Sequence, residues 1–174
     1  IFRNPKIGTT ATVDGEKTAD PLGKVTIVDI VTYTGLTPGK TYKLSGTLMD
    51  KSTKEKLLVD GKEITVTALF TAPKAEGSIK IPFTFDASGL AGKSVVVFET
   101  LYRDDMELAV HADIDDEGQT VDFGKPDIKT TATIDGNKAT DPLGEVTIID
   151  TVEYTGKKKK KTYNVTGVLM DKST

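Results

Sequence analysis

The chain repeats itself. Pro5 to Thr53 recurs without a gap as Pro126 to Thr174, an offset of 121 residues. PKIGTTATVDGEKTADPLGKVTIVDIVTYTG becomes PDIKTTATIDGNKATDPLGEVTIIDTVEYTG, and SGTLMDKST becomes TGVLMDKST. A period of that length exceeds any solenoid unit and suits one small domain per repeat, strung in tandem. Residues 1–124 are therefore expected to form one complete module, and residues 125–174 the N-terminal part of a second, homologous one. The second part is too short to bury a core of its own. Gly124-Lys125-Pro126 is the expected junction, because Pro126 interrupts strand pairing just before the repeat restarts.

Short runs rich in Val, Ile, Thr, Tyr and Phe alternate apolar with polar residues, and turn dipeptides such as Asp14-Gly15, Pro38-Gly39 and Asp60-Gly61 separate them. Strands are predicted near 7–13, 24–33, 41–49, 63–71, 78–85, 94–102, 106–112 and 118–123. No segment carries a helical period. The fold class is all-β, an antiparallel β-sandwich repeated in tandem.

Composition removes several function classes. Lys and Arg number 23 against 26 Asp and Glu, and the net charge of −3 gives no reason to expect nucleic acid or an anionic membrane surface as partner. No apolar run approaches a membrane span, and no signal peptide opens the chain, which reads as an internal piece of a longer protein. Cysteine is absent, so disulfides, thiolate metal sites and cysteine nucleophiles are excluded together.

Period-two spacing exposes polar residues on inward faces. Val25, Ile27, Val31 and Tyr33 share a row with Asp29; the second copy repeats it with Asp150 among Val146, Ile148, Val152 and Tyr154. Glu99 shares its row with Val95, Val97 and Leu101. Thr9 aligns with Ile7, Ala11 and Val13, and Gln119 with Val121 and Phe123. His111 is the only histidine and Gln119 the only glutamine, eight residues apart across the acidic stretch Asp113–Gly118.

A buried polar group without a partner costs about 1–3 kcal/mol, so these five are expected to be partners of one another. Two carboxylates in an apolar setting cannot both ionise, and one is expected to keep its proton and donate. Histidine suits the removal of a hydroxyl proton near neutral pH. Threonine hydroxyl, histidine, amide carbonyl and a protonated acid pair make an acyl-transfer set. A fold-fixing polar network is the structural alternative. Asp113 to Gly118 also resembles the start of a calcium loop, but the twelfth position is Gly124 where a glutamate is needed. A solvated acidic turn is expected there, with no metal or cofactor. Leu36–Lys40 becomes five lysines, Lys157 to Lys161, in the second copy, expected as a solvated loop. Asn164-Val165-Thr166 fits the glycosylation sequon, a common pattern of little weight.

Val96-Val97-Phe98-Glu99 resembles the motif of VaFE-repeat surface-anchored proteins of Gram-positive bacteria. Asp29–Leu36, Ser45–Met49 and His111 with Gln119-Thr120 resemble their ester-bond-forming domains. The resemblance implies an immunoglobulin-like stalk module of a cell-surface adhesin or pilus, extracellular and cell wall-anchored. It further implies an internal ester from Thr9 as nucleophile to Gln119 as acyl partner with loss of ammonia, His111 as base, and Asp29 with Glu99 as the acid pair. Such a module reacts once with itself and is not an enzyme. Its partners would be neighbouring stalk modules of the same polypeptide, with any host ligand bound by another domain and no membrane insertion in this segment. The second copy retains Thr130 and Asp150 but no counterpart of Glu99, His111 or Gln119.

Three rivals remain open on sequence alone. An isopeptide-bonded module could use Lys6 and Asp122, although Lys6 falls opposite Thr9 in strand period. A ligand-binding adhesin module would favour an exposed aromatic cluster, yet aromatics are 6% and Trp is absent. A hydrolase would favour a Gly-rich nucleophile turn, which the chain lacks.

Overall fold

The computed structural model describes residues 3–156 and 161–173. Of the lysine run, only Lys161 lies within the described residues. Strand β1 (Lys6–Thr12) turns at Asp14-Gly15, whose φ values of 52° and 81° make the tight two-residue hairpin that this dipeptide favours. The short β2 (Thr18–Ala19) leads into β3 (Lys24–Thr34) and β4 (Thr41–Asp50). Three two-residue strands follow, β5 (Glu55–Lys56), β6 (Leu58–Val59) and β7 (Lys62–Glu63), in a stretch where the alternation is too brief to announce itself in sequence. The large elements resume with β8 (Thr65–Thr71), β9 (Gly77–Asp86), β10 (Ser94–Arg103), β11 (Met106–His111) and β12 (Thr120–Phe123).

The result is an all-β sandwich. Its small sheet runs β1-β3-β9 and its large sheet β2-β12-β10-β4-β5, with β11 also on β10 and β8 also on β4. Ile27, Val31, Tyr33, Ile81 and Phe83 from the small sheet bury against Leu44, Leu48, Val95, Val97 and Leu101 from the large one. Phe85 meets Phe123 edge-on at 6.3 Å between ring centres, joining the two layers. The first and last strands of the module thus belong to different sheets.

One predicted boundary shifts. The last strand starts at Thr120 rather than near 118, because residues 117–119 form a 3-10 turn. Asp116 caps that turn: its Oδ1 accepts from Gly118 N at 2.7 Å. Gln119 therefore reaches inward from a turn rather than from the row of Val121 and Phe123. In the second copy the described strands are β13 (Asp127–Thr133) and β14 (Ile149–Thr155), an antiparallel pair that repeats the register of β1 and β3.

A candidate acyl-transfer site between the sheets

Strand register brings the predicted residues together. Thr9 lies opposite Val31 and Asp29 opposite Ala11 in the β1–β3 ladder. On the facing sheet Glu99 lies opposite Gly46 of β4 and opposite His111 of β11. Asp29, Glu99 and Gln119 are fully buried and Thr9 is nearly so. A side chain at position 46 would occupy the space taken by the Glu99 carboxyl and would stand 2.5 Å from Phe83 Cζ. Glycine at 46 is what admits the acid.

The placement of Gln119 follows from how β10 shares its edge. Residues 94–96 pair with β12, and pairing with β11 starts at Glu99. The chain between β11 and β12 loops out and returns at this gap. Gln119 fills it: Nε2 donates to the Val97 carbonyl at 2.5 Å and to the His111 carbonyl at 3.3 Å. Both amide protons are thereby directed, and the amide plane is held with its carbonyl oxygen unpaired.

His111 Nε2 lies 2.8 Å from Asp116 Oδ2. The same carboxylate caps the turn through Oδ1, and the Asp116 carbonyl accepts from Thr120 Oγ1 at 2.8 Å. The imidazole and the hydrogen bond from Gly118 N hold Asp116 below the usual carboxylate range, with His111 the larger influence. An anionic Asp116 requires Nε2–H as donor, which leaves Nδ1 with its lone pair free to take a proton. Asp116 is thus a member of the candidate site that the sequence did not single out. It was hidden among the acids of Asp113–Gly118, expected to be solvated, where Glu117 does face outward to Lys51 at 3.1 Å.

Six buried side-chain oxygens have no hydrogen-bond partner among the described residues. They are Thr9 Oγ1, both oxygens of Asp29, both of Glu99, and Gln119 Oε1. Two ionised carboxylates cannot satisfy one another, but one proton converts them into donor and acceptor. Burial and then the charge of Asp29 push Glu99 up to about 9. Burial also raises Asp29, to about 6, held back by the adjacent Glu99 carboxyl, by the Thr10 backbone and by the charges of His111 and Lys17. At neutral pH Glu99 carries the proton. The site thus holds a hydroxyl, an unpaired amide carbonyl and a neutral acid between the sheets, with an oriented, half-buried imidazole at its edge.

The sequence family of T-Q ester bond containing domains matches residues 5–123 and again 126–174. The chain belongs to this family. Gln119 is the only glutamine in the chain. Of the buried threonines, Thr120 already donates to Asp116, and Thr9 is the one without a partner. Among solved structures the chain resembles a bacterial adhesin from Mobiluncus mulieris containing intramolecular disulfide, isopeptide and ester bond cross-links. Two crystal forms of it align at TM-score 0.60 with 15% and 16% identity, each covering 88% of this chain and 76% of that one. A putative beta-galactosidase from Bacteroides fragilis aligns at TM-score 0.50 with 14% identity over 71% of this chain and 18% of its own. At these identities the likeness is one of fold. No curated protein matches the chain.

The second T-Q match presents the same half-site open to solvent. Thr130 lies opposite Val152 and Asp150 opposite Ala132, as Thr9 and Asp29 do in the first copy. Both are exposed and line a cleft of about 520 Å³ with Val146, Ile148, Val168 and Leu169. Asn164 is likewise exposed.

Proposed function

We propose that the first T-Q module is a stalk unit of a bacterial surface adhesin or pilus, locked by an ester between Thr9 and Gln119. His111 Nδ1 takes the hydroxyl proton of Thr9 as Oγ1 attacks the side-chain carbonyl carbon of Gln119. The one proton of the Glu99–Asp29 pair turns from Asp29 to Oε1 as negative charge develops there, with Glu99 as the donor. Collapse of the tetrahedral adduct breaks the C–N bond. The imidazolium returns its proton to Nε2, and ammonia leaves. One hydroxyl and one amide give one ester and one ammonia, with no net proton gained or lost. The reaction consumes its own residues, so it occurs once per module and the protein is no turnover enzyme.

The observation that carries this proposal is the cluster of six unpaired oxygens between the sheets. One proton ties Asp29 to Glu99, but Thr9 Oγ1 and Gln119 Oε1 stay unbound, as the attacking and accepting atoms of such a reaction must be. The isopeptide alternative is less well supported: Lys6 is exposed on β1, and Asp122 is exposed and accepts from Ser94 Oγ at 2.5 Å. Family membership and the adhesin fold support placement outside the cell, on the wall-anchored surface of a Gram-positive bacterium. The module's partners there are its neighbours in the same chain, with any host ligand bound elsewhere in the polypeptide.

Intact mass tests the reading. The protein is expected to weigh one ammonia less than its sequence, with a peptide map joining the segments around Thr9 and Gln119. Thr9→Ala is expected to restore the full mass; an unmodified chain at full mass would overturn the proposal.

A further inference from the structure

Lys17 lies in the hairpin after β1, a polar turn that the cross-linking scheme does not use. Its Nζ folds back to donate to the Ala11 carbonyl at 2.7 Å and to the Gly118 carbonyl at 2.5 Å. Ala11 is the register partner of Asp29, and Gly118 directly precedes Gln119. The backbone of Lys17 makes a third tie, its carbonyl accepting from Asp122 N at 2.8 Å, beside the parallel pairing of Thr18 with Asp122. One residue thus fastens the strand that carries Thr9 to the turn that carries Gln119.

The second copy separates these ties. Lys138, the counterpart of Lys17, donates to the Ala132 carbonyl at 2.7 Å, the same bond to the same place on the first strand. The hairpin therefore folds the lysine back in both copies, and in the first copy its ammonium also holds the Gln-bearing turn.

The charge has its own targets. Asp29 from β3 and Asp116 and Glu117 from the turn all act on Lys17, and Asp116 in turn holds His111 of β11. These are the titratable groups that face it from the packed elements. Partial burial lowers the lysine, while the three carboxylates favour its charged form.

We propose that Lys17 is a positioning residue for ester formation, docking the Gln119 turn onto the Thr9 strand and supplying the cation that balances Asp29 and Asp116. The proposal rests on the Thr9–Gln119 ester. Two bonds to carbonyls set the approach of nucleophile and acyl group, where a small misplacement costs a large factor in rate. The positive charge favours the ionised forms of Asp29 and Asp116.

The test uses the full chain, recovered unreacted in urea, diluted into buffers across the pH range and quenched for intact mass. Lys17→Met is expected to slow ammonia loss about tenfold or more. It is also expected to move the acid limb of the rate profile to higher pH, since Asp29 and Asp116 each lose a nearby cation. Lys17→Arg, which keeps the charge, is expected to leave that limb in place and to stay within about threefold of the unmodified rate. Circular dichroism of each substitution in the Thr9→Ala background checks that the sandwich forms. A slowed Lys17→Met with an unmoved limb would mean a merely structural role and would overturn the proposal. So would an unchanged rate, and so would a shifted limb in Lys17→Arg, which alone decides the matter if Lys17→Met does not fold. If the unmodified chain never loses ammonia, the ester itself is absent. If it does lose ammonia and Lys17→Met keeps pace, only the role of Lys17 fails.

Discussion

Glu99 lies opposite Gly46 in the ladder between β10 and β4, and its carboxyl occupies the space a side chain at 46 would take. Gly46→Ala is expected to force the acid or the ring of Phe83 aside, at about 1–3 kcal/mol by the usual cost of overpacking. Urea unfolding in the Thr9→Ala background measures that cost without interference from the bond. Ester yield should fall with it, since the displaced carboxyl is the group proposed to donate to the acyl oxygen.

A pH dependence follows from the acid pair. Glu99 is raised from 4.5 to about 9 and Asp29 from 3.8 to about 6, burial being the first cause of each. Both folded-state values lie above the unfolded ones, so protonation favours the folded state. Their contribution is fully present below the unfolded values and is lost as pH rises through about 6 for Asp29 and about 9 for Glu99. The unreacted Thr9→Ala protein is accordingly expected to be more stable at pH 5 than at pH 9 in denaturant titrations. Ammonia loss in the unmodified chain should slow as Glu99 gives up its proton near pH 9. Glu99→Gln should remove that alkaline limb.

Asp116→Asn separates orientation from placement. Asparagine caps a turn about as well as aspartate, so Gln119 is expected to stay where it is. A neutral amide no longer fixes Nε2–H on His111, and the base loses both its tautomer and its counter-ion. Ester formation should slow on the order of 10²- to 10⁴-fold, read by timed mass measurements. A rate within twofold of the unmodified chain would remove His111 and Asp116 from the scheme.

Thr9→Ala also reports what the bond contributes to stability. Joining positions 9 and 119 closes a loop of about 110 residues, worth on the order of 5 kcal/mol in the chain-entropy treatment of cross-links. Differential scanning calorimetry should place the variant on the order of 20 °C below the locked protein. Comparable melting temperatures would mean that the native fold, not the bond, sets thermal resistance.

Much of the site was visible in strand period alone. Thr9, Asp29 and Glu99 lie on strands whose apolar rows are unambiguous, so a polar residue in such a row could be placed inside. Gln119 came out correctly buried for the wrong local reason, because its turn breaks the alternation just before β12. Asp116 and Lys17 gave no periodic signal. One acts through a capped turn among other acids, and the other folds back from a polar hairpin. Lys17 depends on a contact with Gly118 about a hundred residues away, which no local pattern encodes, whereas Asp116 works through neighbours within five residues in a run of acids that marks none of them out. Gly46 was legible only within a motif; its need for an absent side chain shows once β4 and β10 are paired. The short strands β5 to β7 escaped because two residues cannot establish a period.

The offset of the repeat also sets a length scale. From Gln119 to Thr130 there are about 11 residues, which span at most roughly 40 Å when fully drawn out. Where Thr9 and Thr130 are both tied as proposed, that connector is all the slack a pull could recover between one module and the next. A fibre of such units would lengthen by a fixed, small increment per repeat and then stiffen abruptly, its contour set by the spacing of anchors rather than by the length of its chain.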